Sequence, residues 1–357
     1  MATSGTVGET VLYVDDLITT AFRRCGLSPG LQTAETSEIG RRSLYLFFSH
    51  LSSRGIQLWT IDRVIFGSWP NQLAYPLPFG TIDELNANWR TPVRATPTTA
   101  TSSAGGTADN SDDLDVTTTC TQTSTNGNIS YDFSSDVTIV SVGYLPYATA
   151  TMNLVLESSD DNTTWTSRLA FGSLDMTANT WVWRDIWAPG TAQYWRVRET
   201  GGGTINAAEI YLSTGNTEIP MSRLNRDDYV NLPNKTQTAG TVTQFYVDSS
   251  YPDLQILATP VPNDAFHQLV IWRYRQIQDI GTMTNTVEAP QRWTETIISN
   301  LAAMMAIELD SVEGLKVDPA RITGLVAQAG QRLKEVEGQE RDNSPIYFVP
   351  GIGPYTR

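Results

Sequence analysis

Ile129-Ser130-Tyr131-Asp132-Phe133 alternates apolar and polar side chains, so an extended chain here buries Ile129, Tyr131 and Phe133 on one side and wets the other. The same short period recurs in Val137 to Val142, Met152 to Glu157, Trp181 to Trp187, Tyr194 to Arg198 and Ile210 to Leu212. Turn residues separate the runs. Short strands at this spacing predict an antiparallel β-sandwich over 114–215. Within it Trp165 and Trp195 are expected in the core. Trp181, Trp183 and Trp187 share one side of their strand and Val182, Arg184 and Ile186 the other. If the Val/Ile side is core, three indoles are left for sugar stacking or a subunit interface; if the Trp side is core, the stripe carries no function.

Outward from the sandwich the composition changes. Residues 95–113, with Thr96-Pro97-Thr98-Thr99 and Ser102-Ser103-Ala104-Gly105-Gly106, have linker composition. Over 95–215 there are 4 basic residues (Arg168, Arg184, Arg196, Arg198) against 13 acidic, and no Lys, so most of the chain's net charge of −14 sits in this module. Before it, Val11, Val14, Ile18, Ala21 and Phe22 recur at helical spacing up to Gly26, and Ile39, Ser43, Phe47 and Leu51 form a second stripe ending at Gly55. Ile56 to Phe66 and Gln72 to Leu77 read as extended, and Gly67-Ser68-Trp69-Pro70 between them suggests a hairpin. After it, Val242 to Val247, Leu254 to Thr259 and Gln268 to Ile277 are strand-like. A helix opens at Pro290 with Trp293, Ile297, Leu301, Met304, Met305 and Leu309 on its stripe; another starts with Asp318 as N-cap and Pro319 at N1. The expected fold class is α+β: a helix bundle with a small antiparallel β region, formed by 1–94 and 216–357, and an inserted antiparallel β-sandwich.

The 357 residues contain no apolar run near the roughly 20 residues of a membrane span, and Met1-Ala2-Thr3-Ser4 opens no secretory signal. A net charge of −14 argues against a surface built to grip phosphates. Cys25 and Cys120, the two cysteines, fall in different modules and read as reduced thiols. His50 and His267 are the two histidines, and neither has a second His, Cys or paired carboxylate at ligand spacing. Gly201-Gly202-Gly203 is a turn without the Lys of a phosphate loop. Asp112, Asp113 and Asp115 read either as a Ca²⁺ site or, in the plainer alternative, as a solvated acidic patch. Arg273 and Arg275 share a strand face, to meet DNA or to pair with acidic neighbours. No catalytic, metal or cofactor-binding set is expected, and the chain reads as a non-enzyme without cofactor.

Two resemblances go further. The helix pair, Tyr75-Pro76-Leu77-Pro78, Ile82-Asp83-Glu84-Leu85, Arg226 to Lys235, Gln244-Phe245-Tyr246, Pro260-Val261-Pro262, Ile271-Trp272-Arg273-Tyr274-Arg275 and Pro290-Gln291-Arg292-Trp293, in that order, resemble the tail-adaptor (head-completion or tail-tube) subunits of short-tailed phages. That resemblance implies a virion structural protein of the tail, assembled in the host cytoplasm. It implies a homo-oligomeric ring of about twelve copies beneath the portal protein, beside tail nozzle or tail-fibre proteins, with DNA passing through unread and no membrane. The apolar, Pro-rich Pro345 to Arg357, with Ile346, Tyr347, Phe348, Val349 and Tyr355, is then the candidate contact with portal or neighbour. The second set is Leu156 to Trp165, with its Ser159-Asp160-Asp161-Asn162-Thr163-Thr164-Trp165 turn, then Ala192 to Arg198 and Ala208-Glu209-Ile210-Tyr211. It resembles a discoidin-like (galactose-binding-like) jelly roll, departing from the pattern at Asn162, where Gly is common. It implies an external decoration domain or, alternatively, a glycan-binding, lectin-like host-recognition function.

Overall fold

The computed structural model describes residues 12–54, 58–250 and 254–340. By its contacts the chain forms two compact units, Met1–Asp62 with Tyr274–Arg357, and Arg63–Arg273. Its helices are α1 (Val14–Arg24), α2 (Ala34–Arg54), the single turn α3 (Arg226–Val230), α4 (Thr294–Leu309) and α5 (Pro319–Gln339). No described helix is long and apolar enough to cross a membrane.

The first unit is helical, and its core follows the stripes. Val14, Leu17, Ile18, Ala21 and Phe22 of α1 meet Leu44, Phe47, Phe48 and Leu51 of α2, Leu301, Met305 and Leu309 of α4, and Leu325, Ala329 and Leu333 of α5. Gly26, at φ +86°, ends α1 in the left-handed conformation that costs glycine nothing. Asp318 accepts from the Ala320 amide at 3.0 Å and Pro319 follows at N1, as the sequence predicts. Pro290, expected at N1 of α4, instead caps a 3₁₀ turn, Gln291–Trp293, that leads into it. Trp293 from that turn meets Trp59 edge-on at 4.7 Å.

The second unit is β-structure: the expected sandwich, together with a β region outside it that is larger than the small one expected. Seven strands form one sheet in the order Ile61–Gly67, Gln268–Arg275, Thr81–Arg94, Asn206–Pro220, Ser141–Pro146 and Val182–Asp185, with Cys120–Thr121 pairing off Asn206–Pro220. A five-stranded sheet, Thr99–Ser102, Asn128–Thr138, Thr191–Glu199, Ala150–Ser159 and Thr166–Met176, lies opposite part of it. Ile129, Tyr131, Leu154, Leu156, Trp195, Val197, Val142, Tyr144, Ile210 and Leu212 fill the space between. This is the expected sandwich. A four-stranded sheet (Ser222–Leu224, Gln244–Asp248, Gln255–Thr259, Ala74–Pro76) covers a second core of Tyr75, Trp89, Phe245, Ile256 and Ile271.

Three local expectations change. The linker stretch 95–113 contains Thr99–Ser102, which pairs with Asn128–Thr138 from Thr99↔Asp132 to Ser102↔Ile129. Its Thr and Ser side chains suit a half-exposed edge strand as well as a flexible segment. The hairpin around Gly67–Pro70 does not form: Ile61–Gly67 and Ala74–Pro76 lie in different sheets. Ser68 explains the divergence, since its amide donates to the His267 carbonyl at 2.7 Å and its hydroxyl to that of Asp264 at 3.0 Å. Finally, the positions 94 and 216 fall inside the long Thr81–Arg94 and Asn206–Pro220 pair, which zips from Asn88↔Pro220 to Arg94↔Ser213.

Candidate functional site

The three tryptophans of one sequence stripe have separate fates. Trp181 and Trp183 stack at 5.0 Å and are buried with Leu145, Ala208 and Tyr211, backed by Ile65, Trp69 and Phe266. Val182 and Ile186 on the other side pack into the sandwich core. Both sides of the strand are therefore covered, because the outer face of the sheet carries a cluster of its own. The choice between a Trp face and a Val/Ile face does not arise. Trp187 lies beyond the strand's end and is 91% exposed.

An indole so exposed forfeits roughly 2–3 kcal/mol of burial that an aromatic of its size gains in a core. Its loop is nonetheless held firmly. Ile186, the residue before, donates its amide to Val140 at 2.8 Å and is buried. Gly190, three residues later, lies against the Arg168 guanidinium so closely that a Cβ there would sit 2.2 Å from Cζ. Arg168 is in turn fixed by Nε donation to the Ser158 hydroxyl at 2.7 Å, and Thr191 meets Thr138 through their hydroxyls at 2.7 Å. The result is a flat apolar plate on a braced loop, with a guanidinium under the loop's glycine.

The neighbouring turn is shaped by Asp161. Its carboxylate accepts from the amides of Thr164 (2.7 Å) and Thr163 (2.8 Å) and from the Ser159 hydroxyl (2.9 Å), which holds it well below the usual carboxylate range. Asn162 takes φ +56°, a conformation Asn tolerates without being Gly. Trp165, expected in the core, is half-exposed instead. Arg196 lies over its ring at 4.0 Å, because Arg196 points outward from the five-stranded sheet and needs a cover. Trp195, on the opposite side of that strand, is fully buried as expected. Glu157 joins Arg196 and Arg198, each at 2.6 Å; burial raises its carboxyl, but hydrogen bonds from Arg198 and Arg196 outweigh it and the net shift is downward.

The acidic run is used locally. Asp112 pairs with Arg94 at 3.0 Å, Asp113 accepts from Thr118 Oγ1 at 2.9 Å, and Asp115 from the Thr117 amide at 2.9 Å. Beside them Glu209 is fully buried; desolvation, then repulsion from Asp112 and Asp113, pushes it up to about 8. Among the described residues no group of three or more His, Cys, Asp or Glu could hold a metal ion. Cys25 and Cys120 are both buried free thiols. Arg275 pairs with Asp62 at 3.2 Å and with Glu288, whereas Arg273 is buried and donates to the Pro78 carbonyl (3.0 Å) and Thr81 hydroxyl (2.7 Å). His50 is exposed on α2. His267, read as lacking a carboxylate, has one: its Nδ1 lies 2.6 Å from Asp264 Oδ1, and its ring stacks on Trp89 at 5.0 Å. The missed signal was Asp264 three residues upstream, across a turn. Ile346, Tyr347, Phe348, Val349 and Tyr355 lie outside the described residues.

No family model and no curated protein matches the chain. Solved structures do. A carbohydrate-binding module from Clostridium perfringens, solved in complex with GalNAc-β-1,3-galactose, is 16% identical, with 32% of this chain covering 94% of that one at a TM-score of 0.29. The CBM32 of AlyQ, in complex with 4,5-unsaturated mannuronic acid, is 18% identical over 34% and 99% at 0.31. A chitosan-binding module of a chitosanase/glucanase from Paenibacillus sp. IK-5 is 21% identical over 33% and 96% at 0.29.

Proposed function

We propose that this chain is a glycan-binding protein whose sandwich presents Trp187 as a stacking platform, with binding rather than catalysis as its function. The observation that supports the reading is the contrast within one stripe: Trp181 and Trp183 are buried, and Trp187 is 91% exposed on a loop braced at both ends. Sugar rings carry one face of C–H groups, which an indole accepts, and an edge of hydroxyls, for which the guanidinium of Arg168 is a donor. A glycan array probed with the full chain tests this, followed by titration of the best oligosaccharide. Trp187→Ala is expected to weaken binding at least tenfold, and Trp187→Phe to retain most of it. No carbohydrate bound, or unchanged affinity in Trp187→Ala, would sink the proposal.

A second reading, the virion tail-adaptor ring of the motif order, is favoured by a different observation. Tyr45 and Leu46 of α2, Ile307 of α4 and Val326 of α5 are 45–59% exposed on the helical unit. Large apolar side chains left in water on several helices suit subunits packed side by side. The two readings are compatible, as an assembled subunit that displays a glycan-binding module. Mass photometry of the full chain discriminates: a ring species that Leu46→Glu and Ile307→Glu dissolve supports assembly, and a monomer at every concentration opposes it.

A further inference from the structure

The helical unit has an open groove of about 500 Å³ lined by Leu12, Leu17, Val287, Ala289, Thr294 and Ile297, among others. Leu17 and Ile297 are buried and form its floor; Leu12 and the adjacent Tyr13 are 37% and 48% exposed at its rim. One wall is extended backbone, where Tyr13 bridges Thr286 antiparallel and the Val14 amide donates to Asn285 at 2.9 Å. Extended walls and an apolar floor fit an extended peptide better than a small polar ligand.

The chain leaves α5 beside this groove. The Glu340 carboxylate takes hydrogen bonds from Arg292 Nη2 at 2.7 Å and Trp293 Nε1 at 3.3 Å. Those two residues sit in sequence between Gln291 and Thr294, which line the groove. Five residues on comes Pro345-Ile346-Tyr347-Phe348-Val349-Pro350. Five extended residues span up to about 18 Å, enough to bring that segment back along the groove. Its prolines forbid a helix, and its four central side chains are the apolar surface the groove lacks. The other nearby candidate, residues 1–11, is mostly Thr, Ser, Gly and Glu, with Val7 and Val11 as its branched apolar side chains. A tether this short holds the segment at an effective concentration on the order of millimolar, which favours the chain's own groove over that of a second copy.

We propose that the groove along Leu12, Val287 and Ala289 is the docking site of this chain's own segment 345–350, which caps the helical unit. The inference stands apart from glycan binding and gives these apolar residues a partner within the chain.

Amide exchange on the full chain tests it. Ile346→Asp with Phe348→Asp is expected to speed exchange at least tenfold at Val287, Ala289 and Tyr13, leaving α2 unchanged. Identical protection in the variant overturns the proposal, as does protection that rises with protein concentration, which would place the segment on a second copy. A cross-link gives an independent readout, since both native cysteines are buried. In the full chain, Leu12→Cys paired with Phe348→Cys is expected to close an intrachain disulfide at least tenfold faster than Glu313→Cys paired with Phe348→Cys. Equal rates would mean the segment has no preferred site and would refute the docking.

Discussion

Glu209 shows how a single side chain couples the sandwich to pH. It is fully buried, with its Oε2 lacking a hydrogen-bond partner among the described residues, and its carboxyl is raised to about 8 from 4.5 by desolvation. A folded-state pKa above the unfolded one means that the protonated form favours the fold. That stability is complete below pH 4.5 and is lost as pH rises through 8. Asp112, raised to about 6 mainly by burial, acts in the same direction. Glu209→Gln carries no charge at any pH, so its melting temperature is expected to match the wild type at pH 4.5 and exceed it at pH 9. In unfolding free energy at pH 9 the gain should be on the order of a few kcal/mol. Parallel curves across pH would show that the burial penalty is relieved in some other way. The tryptophans give a second contrast: Trp183→Ala should cost about 3–5 kcal/mol, whereas Trp187→Ala should leave thermal stability nearly unchanged. Comparable losses from both would mean that Trp187 is packed in solution.

Among the elements, α4 is the most informative. Leu301 is fully buried and Ala302, Met305 and Leu309 continue its stripe, so Leu301→Asp is expected to abolish soluble expression by burying an unpaired charge. Glu295, on the wet side of α4, pairs with Arg24 at 2.7 Å and is half exposed. Glu295→Lys is expected to cost about 1 kcal/mol or less, lessened further by salt, in urea melts. Equal damage from the two substitutions would place the wrong face inward. The helices were legible because apolar period, N-cap Asp318 and left-handed Gly26 agree locally. The long strand Thr81–Arg94 was not, because Glu84 and Arg90 are buried within it and break the alternation that marks a strand. Arg90 is tolerated there through ion pairs to Asp185 at 2.9 Å and to Glu218 at 2.5 Å. Both partners are distant in sequence, so no local pattern announces them.

At the scale of the molecule, the Asn206–Pro220 strand serves both the sandwich and the sheet beyond it, pairing with Ser141–Pro146 at one end and Thr81–Arg94 at the other. Among the described residues, 63–273 contain three of the four apolar clusters, and each of these three lies within that span. A fragment of 63–273 is therefore expected to fold with a single cooperative transition. Replacing 107–215 by a short linker should melt the β-structure that remains, since it removes Trp181, Trp183 and Tyr211 from the aromatic cluster. A cooperative, native-like melt of that deletion variant would show that the sandwich and its flanking strands are energetically independent.

The sequence alone determined what depends on near neighbours along the chain. It specified the helices and their buried stripes, the short alternating strands of the sandwich and the Asp161 turn, each set by side chains within a few residues of one another. Tertiary structure decided what depends on partners far apart in the chain. It placed Trp181 and Trp183 in a second core while leaving Trp187 in water, set Arg196 over Trp165, and buried Glu209 beside Asp112. A side chain's period says which way it points, but the solvent or protein it meets is supplied by strands tens of residues away. That is why three tryptophans on one stripe yielded a single candidate binding residue.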